Sequence, residues 1–302
     1  MSFFIELKKE ETLAEGIHRV LNEQTRAIHK ELSSSSDLVT SVHNARKHFK
    51  IIRSLLRLLR IRNGNTWFSS ENSFYRGLAS QLSDIRDLHV LLDSIELLQN
   101  DATSLLTSFN TGDLYQFIHS DIKQSEKELI LDHTFQVIKD ELTNHSIPDT
   151  RLEEEATICT LIDGLEQVYE AGYNNMYQTY LNPNAENFHE WRKTVKHLLY
   201  SCQLLNPYWP ITTSVNATNL KELSDVLGQE HDLANLQVYL RQPSLKSIID
   251  VESIDLNIAE AEKKRTKLQR TAEHLGKEVY AETAEYFIRH FQNAWCSYKL
   301  GA

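Results

Sequence analysis

Glycine and proline are scarce, 9 and 5 in 302 residues, or about 3% and 2% where globular proteins average roughly 7% and 5%. Without turn formers, the many tight hairpins of an all-β sandwich or barrel are excluded, and an all-α chain of long elements is expected. Cysteine is rarer still. Cys159, Cys202 and Cys296 are odd in number, far apart and free of C-x-x-C spacing, which excludes a disulfide framework and a zinc or redox pair. No apolar run approaches the roughly 18 residues that span a bilayer. The start, MSFFIELKKEE, has three adjacent apolar residues before its charges, too few for the core of a secretion signal. A cytoplasmic protein without membrane attachment is expected. Nucleophile elbows, phosphate-binding loops, dinucleotide fingerprints and zincin motifs are all missing, so no cofactor is expected and little points to catalysis.

What is present is segregated charge. The net charge is −10, from 32 Lys+Arg against 42 Asp+Glu, yet residues 41–62 hold seven cations (Arg46, Lys47, Lys50, Arg53, Arg57, Arg60, Arg62) and no acid, which leaves −17 for the rest. Within this stretch His43, Arg46, Lys50, Arg53, Arg57 and Arg60 recur at steps of three and four, one stripe along a helix. Val42, Ala45, Phe49, Ile52, Leu56 and Leu59 follow one residue earlier as its apolar face. Like charges at such spacing oppose an isolated helix by a few tenths of a kcal/mol each. A counter-charge from elsewhere is therefore implied. Two further stripes, Lys263, Lys267, Arg270, His274, Lys277 and the weaker Arg19, Asn22, Arg26, His29, are expected to line the same groove, where a linear polyanion would meet positive charge at each turn.

Periodicity and breaks predict helices at 11–32, 38–62, about 70–100 and 113–143, with Pro148 closing the half, then at about 153–181, 185–205, 217–240 and 250–297. Ser33–Asp37, Asn63–Asn65, Pro183–Asn184, Pro207 and Pro210 supply the breaks. The halves also match in sequence. VHNARKHFK (42–50) aligns with FHEWRKTVK (188–196) at an offset of 146 residues, and LSDIRDL (82–88) with LGQEHDL (227–233) at 145. An internal repeat is expected, with units at 1–148 and 149–302. Asp87 and Asp232, each among leucines, are expected to hold Arg46 or Arg192 in place. Glu15/His18 and Glu186/His189 have the E-x-x-H spacing of di-iron bundles, but the cations after His189 oppose a metal, and none is expected.

These four motifs, in this order, resemble the CHAD family, the conserved histidine α-helical domain, over nearly the whole chain. The resemblance implies two four-helix bundles related by a pseudo-twofold axis. It further implies non-enzymatic binding of inorganic polyphosphate along a basic surface at their junction. The naming histidines then correspond to His43 and His189, and the basic ligands to Arg46, Lys47, Lys50, Arg53, Arg57, Arg192, Lys193 and Lys196. Arg19, Arg26, Lys263, Lys267 and Arg270 join the candidate set through the two additional stripes. Duplex nucleic acid is a poorer partner, and polyphosphate granules are a place where such a protein would gather. The competing reading is a phosphohydrolase or phosphotransferase dependent on histidine or metal. One departure from the family pattern stands out: Leu152 to Trp191 contains no Lys or Arg before Arg192, eight acids, and Tyr169, Tyr173 and Tyr177. The groove is therefore expected to be lopsided, with the first half dominant.

Overall fold

The computed structural model describes residues 5–34, 37–60, 66–99, 111–209 and 215–300; the expected break at Asn63–Asn65, Arg62, Ser35–Ser36 and Pro210 lie outside these. Among the described residues there are twelve α-helices and no strand: α1 (Leu13–Ser33), α2 (Leu38–Leu58), α3 (Thr66–Ser80), α4 (Ser83–Gln99), α5 (Thr111–Leu131), α6 (Thr134–Asn144), α7 (Asp149–Glu155), α8 (Ile158–Leu181), α9 (Ala185–Leu205), α10 (Val215–Leu240), α11 (Val251–Val279) and α12 (Ala284–Leu300). The chain is all-α, as its turn-poor composition requires.

Helix starts follow local chemistry. Asp37 caps α2 by accepting from the Val39 N–H at 3.1 Å, and Asn184 caps α9 by accepting from Asn187 N–H at 2.9 Å. Thr12 and Glu15 form a reciprocal capping box on α1.

Four expected long helices are each broken once, at Gln81–Leu82, Asp132–His133, Ala156–Thr157 and Tyr280–Thr283. At the first break, Gln81 and Leu82 donate to Leu78 and Ala79 in a tightened turn that drives Leu82 fully into the core. At the second, His133 adopts φ 51°, a left-handed conformation uncommon for a side-chain-bearing residue. At the third, Thr157 leaves the helix to cap α8 by accepting from the Thr160 N–H. At the fourth, the Tyr169 hydroxyl donates to the Glu282 carbonyl at 2.9 Å.

The largest apolar cluster joins Ile17 and Ile28 of α1, Phe49, Ile52 and Leu56 of α2, Leu161 and Leu165 of α8, Trp191 and Val195 of α9, and Phe291 of α12. Each such side chain, fully buried, contributes about 1.5–3 kcal/mol. A second cluster joins Leu91 and Ile95 of α4, Ile118 of α5, Leu233 and Leu236 of α10, and Ile254 and Ala261 of α11. Both clusters draw on both halves of the chain.

Three helices pass from one cluster to the other, and each changes character at the crossing. On α4 the larger cluster holds Ile85 and the smaller begins at Leu91; on α10 the corresponding residues are Leu227 and Leu233; on α11 they are Ala272 and Ala261. Between them lie Arg86 and Asp87, then Glu230, His231 and Asp232, then Arg265. A polar waist separates the two cores.

Gly164 sets the approach of α8 to the end of α2. A Cβ at this position would run into the backbone carbonyl of Leu58, so only glycine permits the contact.

Candidate functional site

The stripe forms on α2 from His43 to Arg57, with the apolar residues buried, Arg46, Lys50, Arg53 and Arg57 between core and solvent and His43 exposed; the helix ends at Leu58, short of the expected residue 62, and leaves Arg60 exposed beyond it. Helix α9 packs against it with its own cationic face, because Phe188, Trp191, Val195 and Leu198 occupy the core side. Arg192 and Lys196 are thereby turned toward Lys50.

Lys50 is the centre of this seam. Its ammonium is desolvated and lies in the field of Arg192, Arg46, Lys196 and Arg86, which together push its pKa down to about 7. Lys196 is held to about 8, by desolvation first and then by Arg192 and Lys221 against Asp225 and Asp232. Asp87 acts on Arg46, and Asp232 on Arg192, as the strongest nearby acid in each case. Burial raises both carboxyls above the usual aspartate range, while the cations pull the other way. Five cations thus share one region with Asp87 and Asp232, while Asp93 pairs with Arg86 at 3.7 Å, Asp84 acts on Arg46 and Asp225 on Lys196.

Arg46 has a second duty. Its Nη1 donates to the Ala79 carbonyl at 3.0 Å and to Ser83 Oγ at 2.6 Å, tying α2 to the α3–α4 break.

Toward the end of α2 the seam continues through Arg53 and Arg57. Arg53 Nε donates to Asn72 Oδ1 at 3.0 Å, and Arg76 is the main charge acting on it. The Arg57 and Arg60 guanidiniums lie 5.8 and 5.5 Å from the Phe68 ring centre, and desolvation with the fields of Arg53 and Arg60 lowers Arg57 to about 10. The Nε atoms of Arg57 and Arg192 are buried without a protein acceptor. A buried donor left so is costly, and an anion in the seam would supply what it lacks.

The histidines do different things. His189 and His231 bring their Nδ1 atoms to 3.2 Å, and the Asn235 amide faces the other ring nitrogen of His231 at 3.3 Å. Asn235 donates to that nitrogen, so His231 carries its proton on Nδ1 and donates to His189. Desolvation and the neighbouring cations hold His231 down to about 3 and His189 below its ordinary value. His43 stands exposed beside Arg86 and Asp93 of α4, and Lys47 lies under the influence of Lys221. His197 contributes its Nδ1–H to Ser54 Oγ at 2.7 Å, an internal tie between α9 and α2.

The structure therefore brings together His43, Arg46, Lys47, Lys50, Arg53, Arg57, His189, Arg192 and Lys196 along the α2–α9 seam. Lys193, on the same turn as Arg192, is ion-paired with Glu190. The other stripes have different surroundings. Arg19 is bound by Glu11 at 2.5 Å, Glu23 at 3.1 Å and the Glu6 carbonyl at 2.9 Å, none of them part of the seam. Arg26 is exposed further along α1. On α11, Lys263, Lys267 and Arg270 are exposed, and Lys263 pairs with Glu260 of its own helix. The α11 residue turned toward α10 is Arg265, buried against Glu230 at 2.7 Å. On α8, Tyr169 is a core residue stacked on Phe287 at 4.2 Å, whereas Tyr173 and Tyr177 are exposed.

Two members of the seam escape sequence reasoning. Arg86 sits among Asp84, Asp87 and Asp93, which locally reads as a neutralised helix face. His231 carries no spacing signal of its own. Its alignment opposite Arg86 in the repeated LSDIRDL/LGQEHDL motif was the available clue. Among the described residues, no group of three or more His, Cys, Asp or Glu is placed to hold a metal ion, and no helix is long and apolar enough to cross a membrane.

Comparison with known proteins bears on this arrangement. No curated protein sequence matches the chain. Among solved structures it is similar to the CHAD domain from the plant Ricinus communis, with a TM-score of 0.56 at 15% identity over 90% of this chain and 94% of that one. It is also similar to PptA from Streptomyces chartreusis, with a TM-score of 0.54 at 12% identity over 93% and 98%. At these identities the likeness speaks to the fold. The sequence profile of the CHAD domain matches residues 19–241, a span that contains α2, α4, α9 and α10 with the whole seam, and the chain belongs to the CHAD domain family.

Proposed function

We propose that this protein binds inorganic polyphosphate, without chemical turnover, in the cationic seam between α2 and α9. The observation that carries the reading is the composition of the seam: Arg46, Lys50, Arg86, Arg192 and Lys196 converge, and the charges that act most on Lys50 are all cations. Packing so many cations together opposes folding unless a polyanion offsets it. The family membership and the buried, unpartnered Nε atoms of Arg57 and Arg192 support the same conclusion. Guanidinium forks suit successive phosphate oxygens.

The halves contribute unequally in this proposal. Asp225 and Asp232 oppose Lys196 and Arg192, whereas the charges acting most on Arg53 and Arg57 are other arginines.

The test is calorimetric titration with long-chain polyphosphate at fixed ionic strength, with duplex DNA in parallel. Polyphosphate is expected to bind more tightly than DNA, and the affinity to fall steeply with salt. The pair Arg53→Glu with Arg57→Glu should weaken binding more than Arg192→Glu with Lys196→Glu. Equal affinity for both polyanions would reduce the seam to generic charge. Orthophosphate release with Mg²⁺ or Mn²⁺, abolished by His43→Ala, would replace binding by hydrolysis.

A further inference from the structure

Helix α3 runs antiparallel to α2 and meets its arginines at three levels. The guanidiniums of Arg57 and Arg60 lie 5.8 and 5.5 Å from the ring centre of Phe68; one turn on, Asn72 Oδ1 accepts from Arg53 Nε at 3.0 Å; at the far end the Ala79 carbonyl accepts from Arg46 Nη1 at 3.0 Å. A ring face, an amide oxygen and a peptide carbonyl have one property in common. Each fixes a guanidinium, and none cancels its charge. The single carboxylate of α3, Glu71, is buried and engaged by His145 Nε2 at 2.7 Å, with the Phe74 ring stacked on that imidazole at 3.9 Å. A carboxylate in place of Asn72 would hold Arg53 more strongly and neutralise it. Neutral partners order these side chains and keep the charge for a ligand. Arg57 shows the consequence: set over Phe68, its Nε is buried without a protein acceptor, and Glu190, the acid that acts on it, is paired with Lys193. One turn beyond Asn72, on the same face of α3, Arg76 is exposed and has no hydrogen-bond or ion-pair partner among the described residues.

We propose that α3 forms a further wall of the polyphosphate site, with Phe68 and Asn72 as positioning residues that present Arg57, Arg60 and Arg53 to the ligand and Arg76 as an additional direct ligand, an inference that rests on the binding site proposed above. Long side chains lose rotamer freedom when they grip a phosphate, and a protein that has already ordered them binds more tightly. Phe68, Asn72 and Arg76 recur every four residues, so one face of α3 supplies both the supports and the extra cation. The ligand would then leave the Lys50 region along the second half of α2, between the arginines of that helix and Arg76.

Calorimetry with long-chain polyphosphate over a series of salt concentrations separates the two roles, because the slope of log affinity against log salt counts the cations that meet phosphate. Arg76→Gln should weaken binding about fivefold and reduce that slope by about 0.7–1. Phe68→Leu and Asn72→Leu keep every cation, so each should weaken binding about 3- to 10-fold with the slope unchanged, and Phe68→Tyr, which keeps the ring, should restore it. Asn72→Asp puts a carboxylate against Arg53. The melting temperature should hold or rise while affinity falls about tenfold and the slope by about one; a purely structural role would make affinity follow stability instead. Should Phe68→Leu fail to fold, the two Asn72 variants decide. Affinity unmoved by Asn72→Asp overturns the positioning, and a slope unmoved by Arg76→Gln overturns Arg76 as a ligand, while the site between α2 and α9 stands. Absence of polyphosphate binding by the unaltered protein overturns the site and its α3 wall together.

Discussion

Removing Arg265 tests the polar waist most directly. Its Nε and Nη2 donate to Glu230 Oε1 at 3.1 and 2.7 Å, its Nη1 to Gln237 Oε1 at 2.7 Å and to Glu262 Oε2 at 3.2 Å. Glu230 is 1% exposed, its Oε2 has no partner, and the Gln269 amide at 2.9 Å is the other donor to Oε1. In Arg265→Met this carboxylate would stay buried with a single neutral donor. Breaking a buried pair from one side costs about 3–5 kcal/mol. At roughly 2–4 °C per kcal/mol in a domain of this size, the melting temperature should fall by about 6–20 °C. The double variant Glu230→Met with Arg265→Met removes both charges and fills the space with apolar atoms, so it should recover at least half of the loss. Urea unfolding of the four proteins of this cycle gives the coupling energy. A single-variant loss below about 1 kcal/mol, or strict additivity, would show that water reaches the pair and that the two cores are not divided by a dry polar layer.

Gly164→Ala would stabilise an exposed helix by about 1 kcal/mol, but here the Cβ meets the Leu58 carbonyl, so a loss of about 1–3 kcal/mol is expected in thermal melts; a gain would mean that α8 and α2 are not in contact there. Lys50→Met should stabilise the ligand-free protein. The folded-state pKa of about 7 lies below the ordinary lysine value, so the penalty for the charged form is complete below pH 7 and fades as pH rises toward 10. The gain in unfolding free energy should therefore be largest at pH 6, about 2–4 kcal/mol, and roughly half that or a little less at pH 9. A gain independent of pH would refute the assignment.

Much of this architecture is legible in the sequence, for reasons that particular residues make clear. The bounds of α9, 185–205, follow from the Asn184 cap and the periodic apolar face, both local. The cation stripe on α2 is likewise a matter of spacing along one helix. The four helix breaks are not legible, because no glycine or proline marks them; at two of them a distant side chain takes a loosened carbonyl, Arg46 at Ala79 and Tyr169 at Glu282. The same distinction governs the site. Arg19 belongs to a stripe by spacing, yet Glu11, which precedes the helix, claims it. On α11 the spacing favours Lys263, Lys267 and Arg270, whereas the packing of Ala261 and Ala272 against the cores turns Arg265 inward instead. Periodicity finds a charged face; only the partner helix decides which face is covered.

The position of the waist has a mechanical consequence. Arg265 is the midpoint of α11, a 29-residue rod about 43 Å long, and Glu230 lies a little past the middle of α10. Clamped to each other there by buried charges, and elsewhere by exposed or part-buried bonds such as Asn219 to Glu278 at 2.6 Å, the two rods would pivot about that point. A tilt of about 5° would carry the tip of α11 by ~2 Å and leave the fulcrum still. Repacking at either extremity, at Leu240 or Val279 for instance, would thus be absorbed as movement of the tips. The cations of the seam, close to the pivot, would keep their spacing. Stability and the geometry of the seam are then free to vary separately, and the outer ends of both helices can accumulate sequence change without respacing the clustered cations.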